Sequence, residues 1–366
     1  MRRTAEFVTP KHPDKLADRL ADRILDAYLA EDKNARAAIE VLAGHGELRI
    51  IGEARVKNCT ESRMRVIARA TAENFLRSEG LMETTKKMTV KIVKQSAEIA
   101  AGVDTGGAGD QGIMYGCATR ETEATGEYLA LDYVLARSLC KHLYEKYPVD
   151  GKTQITLNGN EIETIVASFA DTKKEELESE IRHWLITLDG KYAVKTAAKI
   201  EILANPAGDW SQSGWEADTG LTGRKLAVDN YGGVCPCGGG AYSGKDPSKT
   251  DRSGAYLARK IALAMLREGI QEDDEGNRIR PLVVQVRLAY AIGKADPVDA
   301  TAIVAWEDGE TTQTDLKESA LFRFDLTPNG IIEALNLRGI EYEPTASWGA
   351  YGHPGEFPWE VENGSD

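Results

Sequence analysis

The stretch that decides the fold of this chain is residues 234–252, VCPCGGGAYSGKDPSKTDR, which is rich in glycine and carries two lysines four residues apart. Three consecutive glycines, 238–240, let the backbone approach a ligand closely because no Cβ stands in the way. Exposed backbone N–H groups beside Lys245 and Lys249 favour a polyphosphate, and Asp251 adds a carboxylate suited to the magnesium that such a ligand carries. The segment therefore indicates a nucleotide site.

From Gly239 the same segment nearly matches the phosphate-binding loop of nucleoside triphosphatases, G-x-x-x-x-G-K-[ST]. Asp246 stands where that loop needs a Ser or Thr hydroxyl for magnesium. Two other interpretations stay open at this point: a P-loop-like ATPase or kinase, and a glycine-rich surface loop whose lysines are incidental. The missing hydroxyl argues against the first of these.

The bulk composition narrows the class of protein. A chain of 366 residues is long enough for two or three domains, and 42% hydrophobic with 28% charged residues is typical of a soluble globular protein. The net charge of -13 argues against general binding to nucleic-acid backbones, which requires a basic surface. No run approaches the ~18 apolar residues of a membrane span and the first residues lack a signal-peptide core, so we expect a cytoplasmic protein with no membrane partner.

The cysteines predict a reduced protein rather than a disulfide framework. They are Cys59, Cys117, Cys140, Cys235 and Cys237, an odd and scattered set. The C-x-C spacing at 235–237 leaves a zinc site open as an alternative, but no second Cys or His pair lies close in the sequence. We therefore expect two free thiols in this loop.

Hydrophobic periodicity indicates an α+β protein. It predicts helices over 14–31, 61–77, 128–146, 173–188 and 251–267, and strands over 39–42, 48–56, 88–94, 153–157, 161–167, 199–203, 225–228, 282–292 and 301–306. Two hairpins are expected, turning at 44–46 and at Asn158-Gly159. A strand pair followed by a helix occurs about three times, which favours three related units. The glycine-rich segment 97–109 is typical of a mobile loop.

Four shorter motifs lie elsewhere in the chain, and each alone has an ordinary structural explanation. They are HPDK at 12–15, GAGDQG at 107–112, DGK at 150–152 and DTGLTGRK at 218–225. An aspartate after the first proline fits a helix N-terminus, and the other three fit tight or solvated turns. Their order along the chain is more informative than any one of them.

Together with GGGAYSGKDPSKTDRS at 238–253 and FPWE at 357–360, these motifs resemble the S-adenosylmethionine synthetase (methionine adenosyltransferase) family of the bacterial and eukaryotic type. The likeness runs from about residue 6 to residue 360. It implies a fold of three interleaved α/β repeats, at 1–98, 107–212 and 214–360, with a mobile gating loop at 95–106. It also implies a homodimer or tetramer whose active sites are shared between subunits.

The implied reaction joins ATP to L-methionine. The methionine sulfur attacks C5′ of the ribose, the triphosphate leaves, and the enzyme then hydrolyses it to pyrophosphate and phosphate. A thioether carries no proton, so this step needs no general base, and positive charge on the leaving group should supply most of the catalysis. The implied cofactors are Mg2+, two per site, and K+.

The resemblance assigns roles residue by residue. The catalytic positions are His12, Lys152, Arg224, Lys225, Lys245 and Lys249. The ATP contacts are His12, Asp150, Lys152, Asp209, Trp210, Asp218, Arg224, Lys225, Ala241 and Lys245. The methionine contacts are Glu53, Gln95, Asp218 and Lys249. The metal positions are Asp14, Asp251 and Glu6 for magnesium and Glu40 for potassium.

The chain also departs from the family pattern. The loop after Gln95 is about five residues short, Trp210 replaces a phenylalanine that stacks on adenine, and the segments 168–171 and 235–237 differ. We expect the chemistry to be retained, while nucleobase tolerance, loop gating and assembly are altered. A degenerate relative that binds nucleotide without turnover is the remaining alternative, and the intact His12 and cations argue against it.

Overall fold

Three four-stranded sheets form the framework of the molecule. The computed structural model describes residues 1–95, 106–272, 278–318 and 324–361. Its strands are β1 Arg2–Val8, β2 Arg36–Gly44, β3 Glu47–Arg55, β4 Lys87–Lys94, β5 Gly112–Thr119, β6 Gly151–Asn158, β7 Glu161–Phe169, β8 Lys195–Ala204, β9 Gly220–Leu221, β10 Gln271–Glu272, β11 Arg278–Ile279, β12 Pro281–Tyr290, β13 Asp299–Trp306 and β14 Thr311–Asp315. Its helices are α1 Pro13–Glu31, α2 Glu61–Glu79, α3 Leu131–Lys146, α4 Lys174–Thr187, α5 Gly214–Ala217, α6 Leu226–Asp229, α7 Thr250–Glu268 and α8 Pro328–Ala334, with 3-10 turns at Arg120–Thr125 and Glu343–Ala346.

Each sheet takes one strand from a distant part of the chain. The strand orders are β4-β3-β2-β9, β1-β6-β7-β8 and β14-β13-β12-β5. The three distant strands, β9, β1 and β5, all join antiparallel, to β2, β6 and β12 respectively. The predicted α+β class with three related units is therefore confirmed, and the units are interleaved through their strands.

One face of each sheet is covered by helices. Helix α1 packs on β2, α3 packs on β1 and β6, and α7 packs on β5 and β12. Because side chains alternate between faces, Ile50 of β3 is buried beneath a helix whereas its neighbour Ile51 is 51% exposed on the other face. No helix covers that other face within the described ranges, and this becomes important at the site.

Both predicted hairpins are present. The first turns at His45 and Gly46, which have φ of 51° and 85°, the left-handed region that a two-residue hairpin requires. The second turns one residue later than expected, because Asn158 still pairs with Glu161 and the turn falls on Gly159 and Asn160. The hydrophobic alternation thus located the strand pairs better than it located their ends.

The structure corrects one element and adds others. The predicted strand at 225–228 is wrong: Leu226–Asp229 is a short helix, closed by a hydrogen bond from the Asp229 N–H to the Lys225 carbonyl. Strands β1 and β5 were not predicted, because β1 has few inward apolar residues and β5 contains two glycines. Most of the predicted gating loop, 96–105, lies outside the described residues.

The expectation that all five cysteines are reduced is also wrong. Cys117 at the end of β5 and Cys235 ahead of the glycine-rich segment form a disulfide, with Cα atoms 6.4 Å apart. Cys59, Cys140 and Cys237 are free thiols, so only one of the two thiols expected at 235–237 is free. The partners are 118 residues apart in the sequence, and only the packing of this segment on β5 brings them together.

Candidate active site

The start of α1 places a buried histidine beside a carboxylate. His12 is the N-cap of α1, with Pro13 at the first helical position, and its Nδ1 accepts a hydrogen bond from the Asp14 N–H at 3.2 Å. Burial and the nearby charges of Lys225 and Lys152 lower the pKa of His12 to about 3. The imidazole is therefore neutral at physiological pH, and its Nε2 carries the proton.

The DTGLTGRK segment wraps onto this helix start through Asp14. The Asp14 carboxylate accepts the Leu221 N–H at 3.0 Å and contacts the Nζ of Lys225 at 2.6 Å and the Nε of Arg224 at 3.4 Å. Burial alone would raise the pKa of Asp14, but the Lys225 and Leu221 hydrogen bonds outweigh it and the pKa is lowered. Asp14 is therefore an ionised carboxylate that holds two cations near His12.

Asp150 and Lys152 approach the same place from β6. The Asp150 carboxylate accepts the Gly214 N–H at 3.2 Å, and burial raises its pKa to about 6. Lys152 is exposed and acts electrostatically on both His12 and Asp150, while Asp218 acts on Asp150. We call the whole set the His12 cluster: His12, Asp14, Asp150, Lys152, Asp218, Arg224 and Lys225.

The glycine-rich segment forms a second group, the Lys245 cluster, made of residues 238–240, Lys245, Lys249 and Asp251. Asp251 accepts the Gly240 N–H and the Nζ of Lys245, both at 2.7 Å. A Cβ at Gly240 would come within 2.7 Å of the Lys245 Nζ, so the glycine leaves that ammonium room. Lys249 immediately precedes α7, whose N-terminal turn favours anions.

Asp246 explains why this segment is not a P-loop. Its side chain is fully buried and accepts the N–H groups of Ala37 in β2 and Ser248, each at 2.9 Å. The carboxylate therefore fastens the segment to β2 and does not face a ligand. The P-loop interpretation is removed by this geometry as well as by the missing hydroxyl.

Four predicted site residues lie on the uncovered sheet faces. Glu40 and Glu53 point from β2 and β3 to the same face as Ile51, and Glu6 and Lys152 share the equivalent face of β1 and β6. The Thr222 hydroxyl donates to the Glu40 carboxylate. Next to this face, Gln95 is buried and its Oε1 has no hydrogen-bond partner among the described residues.

The predicted nucleobase side is less completely assembled. Asp209 is engaged elsewhere, because its carboxylate accepts the Lys174 N–H at the start of α4 and pairs with Lys173 at 3.1 Å. The Trp210 carbonyl accepts the Asp171 N–H at 2.8 Å, which holds the backbone of this half-buried residue beside the segment 168–171 that differs from the family pattern. Ala241 lies against Gly223, and a Cβ added at Gly223 would be only 2.5 Å from the Cβ of Ala241.

The charged side chains of the two clusters do not pair with one another in the described part of the chain, although their segments touch where Ala241 lies against Gly223. Across the described ranges, no hydrogen bond or ion pair joins a charged residue of the His12 cluster to one of the Lys245 cluster. A cleft lined by Tyr128, Lys260 and Arg267 contains no member of either cluster, and Lys260 donates there to the chain's own carbonyls, Pro358 and Val361. The clusters, rather than that cleft, are the candidate active site.

Several contributors were not predicted from the sequence. Thr222 is the partner of Glu40, and the buried side chains of Lys15, Asp18, Asp22 and Arg252 support both clusters from behind. The one available signal was the spacing of aspartates four residues apart in α1, which places them on one helix face. Their backbone partners lie more than 200 residues away.

Comparison with known proteins decides the family. Three models match consecutive parts of the chain: S-adenosylmethionine synthetase N-terminal domain at 1–97, central domain at 105–210 and C-terminal domain at 213–361. The chain belongs to the S-adenosylmethionine synthetase family. Members of this family are methionine adenosyltransferases, which are ATP-dependent transferases.

Individual members of the S-adenosylmethionine synthetase family align with nearly the whole of this chain. S-adenosylmethionine synthases of Corynebacterium kroppenstedtii and Thermus thermophilus are 37% and 38% identical, each alignment covering 98% of this chain and 95% of the relative. A solved structure described as an unusual S-adenosylmethionine synthetase from Campylobacter jejuni superimposes with a TM-score of 0.80 at 32% identity, covering 98% of this chain and 96% of that one. No helix in the described part of the chain is long and apolar enough to cross a membrane.

Proposed function

We propose that this chain forms S-adenosylmethionine from ATP and L-methionine, by attack of the methionine sulfur on C5′ of ATP and subsequent hydrolysis of the bound triphosphate to pyrophosphate and phosphate. The observation that carries the proposal is the His12 cluster, in which Lys225 and Lys152 act electrostatically on a neutral histidine and the adjacent Asp14 pairs with Lys225 and Arg224. Family membership along the whole chain supports the same reaction.

The first step needs charge stabilisation rather than proton removal. The sulfur attacks with a lone pair, the bond between C5′ and its oxygen breaks, and the electron pair leaves with the triphosphate. Arg224 suits multidentate contact with phosphate oxygens, while Lys152, Lys225 and Lys245 act as point charges. Such preorganised cations act on charge as it develops, which is where electrostatic catalysis is strongest.

His12 suits the oxygen that leaves C5′. Its Nδ1 accepts the Asp14 N–H, so its Nε2–H is the donor available to a ligand. A neutral imidazole donates a hydrogen bond to the developing negative charge without being a strong acid, and the low pKa keeps this state across the physiological range. His12 is therefore proposed as an oxyanion-stabilising group and not as a base.

The donor sets fit the implied metals. Mg2+ commonly binds through one or two carboxylates together with substrate phosphates and water, and Asp14 and Asp251 each present one carboxylate beside phosphate-binding cations. Magnesium would supply further neutralisation of the triphosphate when bound. Glu6 is proposed as an additional magnesium contact, and Glu40 with the Thr222 hydroxyl offers hard oxygens to potassium.

A third set of protein groups is complementary to methionine. The buried, unpartnered Oε1 of Gln95 is an acceptor that fits the substrate ammonium, and the carboxylate of Glu53 lies on the adjoining sheet face. Lys249 is proposed to hold the substrate carboxylate and Asp218 to contact its amino end. A buried acceptor left without a partner costs stability unless a ligand satisfies it, which supports a ligand at this point.

We also propose that two subunits share each active site. One subunit would supply the His12 cluster and the other the Lys245 cluster with Glu53 and Gln95, since no hydrogen bond or ion pair joins the charged residues of the two clusters among the described residues. The uncovered sheet faces, with aliphatic residues exposed beside Glu40 and Glu53, are the proposed dimer surface. The unit boundaries, the gating role of 95–106, the choice between dimer and tetramer and a cytoplasmic location stay predictions.

Mass spectrometry of a complete reaction tests the proposed function. Protein, ATP, methionine, Mg2+ and K+ should yield S-adenosylmethionine with equal amounts of pyrophosphate and phosphate, and none when methionine is omitted. ADP formed equally with and without methionine would instead indicate an ATPase. Saturable ATP binding without any product would indicate a binding protein, and either of these results would reject the proposal.

A further inference from the structure

One face of α1 carries four aspartates, at positions 14, 18, 22 and 26, spaced one helical turn apart. Together they accept backbone N–H groups from three segments of the C-terminal domain, 213–361: Leu221 and Gly223 in the first, Gly244 in the second, and the adjacent pair Tyr342 and Glu343 in the third. The helix is thus a template to which distant loops are fastened in order. Two of those loops carry the cations of the proposed site.

The second aspartate fixes the segment that carries Arg224 and Lys225. Asp18 accepts the Gly223 N–H at 2.9 Å, directly before Arg224. Lys15 bridges Asp18, at 3.1 Å, to Asp229, which ends the short helix that follows Lys225. Both sides of the cation pair are therefore attached to α1, through side chains that are buried.

The third aspartate fixes Lys245 in the same way. Asp22 accepts the Gly244 N–H at 2.8 Å and forms a two-bond ion pair with Arg252 at 2.8 and 2.7 Å. Arg252 in turn donates to the carbonyl of Lys245 at 2.9 Å. The backbone is thus held on either side of the Lys245 side chain by a pair whose two members have 0% exposed surface.

We infer that Asp18 and Asp22 are positioning residues, which hold the backbone of Lys225 and Lys245 so that the ammonium group of each lysine faces a bound triphosphate. The inference rests on the proposed function, because it deepens the same site. Neither aspartate faces the ligand, so each acts only through the cation that it positions. Asp22 with Arg252 is the clearer case, since its contacts lie on both sides of a single lysine.

Energetics support a role beyond stability. A buried ion pair contributes little to folding compared with apolar residues of similar size, whereas removing one partner leaves an uncompensated buried charge and is strongly destabilising. Gly244 has φ of +79° and Ile39 O lies 2.0 Å from the position of a Cβ there, so the loop needs glycine and lacks side-chain packing at that point. A flexible four-carbon side chain on a glycine loop requires an external clamp to place its charge reproducibly.

Calorimetric binding of imidotriphosphate with Mg2+ tests the inference without relying on turnover. Wild type, Asp22→Asn, Lys245→Ala and the double variant form a cycle. Because supporting residues typically affect binding by about 10–100-fold, Asp22→Asn should weaken binding at least about tenfold when Lys245 is present. In the Lys245→Ala background the same change should have less than about a twofold effect, because its target is absent.

Two further variants separate positioning from general damage. Asp26→Asn removes a comparable carboxylate contact from the same helix face, but its partners Tyr342 and Glu343 reach the site only through the Tyr342 ring on Arg252, so binding should weaken much less than in Asp22→Asn. If Asp22→Asn does not fold, Asp22→Leu with Arg252→Met replaces the pair by apolar side chains and should fold while losing the same affinity.

The outcomes are separable from those of the proposed function. Unchanged binding in Asp22→Asn, an equal loss in both backgrounds, or no binding to wild type would each overturn the inference. Absence of S-adenosylmethionine in the wild-type reaction would instead reject the proposed function, and the binding cycle would still report whether Asp22 acts through Lys245.

Discussion

At the scale of single residues, the site is built from ionisable groups whose surroundings fix their charge. His12 is kept neutral by burial and neighbouring lysines, and Asp14 is kept ionised by the Lys225 and Leu221 contacts that outweigh its burial. Asp150 differs, because burial dominates and its pKa rises to about 6. Two aspartates of the same cluster therefore have different charge states, as their environments dictate.

Removing one cation tests the electrostatic account. Lys245→Ala is expected to lower kcat by about 100–1,000-fold, since one preorganised donor on developing charge contributes on the order of 3–4 kcal/mol. The measurement is the initial rate of S-adenosylmethionine formation at saturating substrates. Lys146→Ala is the matched control and should retain full activity, because Lys146 is an exposed lysine at the end of α3 whose partner is Glu180 of α4. Near-normal turnover in Lys245→Ala would contradict the assignment.

The raised pKa of Asp150 predicts a stability effect of definite sign. The folded state holds this proton up to about pH 6, whereas the unfolded chain releases it near the ordinary value of 3.8. The free energy of unfolding therefore falls as pH rises through this window, and the loss is complete above pH 6. Asp150→Asn should therefore stabilise the protein more at pH 8 than at pH 4, by up to about 3 kcal/mol in the free energy of unfolding. The increase in Tm should accordingly be larger at pH 8.

Thermal unfolding at these two pH values checks that prediction. Asp209→Asn is a useful comparison because Lys173 lowers the pKa of the Asp209 carboxyl, so its removal should not stabilise the protein at pH 8. The compared quantity is the Tm of Asp150→Asn minus that of wild type. If this difference were smaller at pH 8 than at pH 4, the fold would stabilise the ionised Asp150 carboxylate and the prediction would be wrong. Nucleotide affinity should fall in the same variant, which would explain why an unfavourable charge is present.

At the scale of elements, close approach of backbones determines which residues fit. Gly116 of β5 lies under α7, and a Cβ there would meet the carbonyl carbon and oxygen of Ala258 at 2.0 Å. Because helix backbone cannot move aside as a flexible side chain can, the sheet and helix would have to separate. The absence of a side chain at Gly116 therefore allows α7 to pack close to β5, and α7 carries Asp251 and follows directly after Lys249.

Gly116→Ala is accordingly expected to destabilise the protein. Overpacking a core typically costs about 1–3 kcal/mol, and a backbone clash should reach at least the upper end of that range. Urea unfolding followed by far-UV circular dichroism measures the change. Gly233→Ala, where an added Cβ meets nothing within 4 Å, is the control and should unfold at the wild-type urea concentration. Equal stability of the two variants would contradict the packing argument.

Elements were predictable where one periodic face is buried. The spacing of Leu16, Leu20 and Ile24 located α1, and alternation around Ile39 and Ile50 located the first hairpin. The segment at 225–228 was assigned to a strand because short apolar runs lack a distinguishable period; it is helical because Asp229 is held by Lys15 of α1. The disulfide and the aspartate contacts were not predictable, since their partners meet only in the folded molecule.

At the scale of the whole molecule, the site residues divide between two clusters whose charged side chains do not pair with each other among the described residues. The resemblance to a known family supplied their identities, but only the structure showed that Glu40 and Glu53 lie on a sheet face without a helix over it. Leu42, Ile51 and Val93 on that face are 41%, 51% and 41% exposed. A contiguous aliphatic face beside polar site residues is typical of a subunit interface.

Ile51→Glu tests whether this face joins two subunits. A buried charge at the centre of an apolar interface should disfavour association, so sedimentation velocity should show monomers where wild type gives dimers or larger species. Synthetase activity should fall with association. Ile186→Glu changes an isoleucine that is 76% exposed on α4, a helix that packs on α3 and β8 and not on the sheet of β2, β3 and β4, and should leave both properties unchanged. Wild-type assembly in Ile51→Glu would place the interface elsewhere.

The exchange of strands between the three sheets sets the order in which the chain can fold as it leaves the ribosome. The sheet that begins with β1 is complete only after β8 emerges at residue 204, and the sheet of β2, β3 and β4 must wait for β9 at residue 221. Strand β5 stays without its partner until β12 has been made, more than 160 residues later. Nascent chains therefore expose unpaired strand edges until late in synthesis, and protection by chaperones matters most during that period.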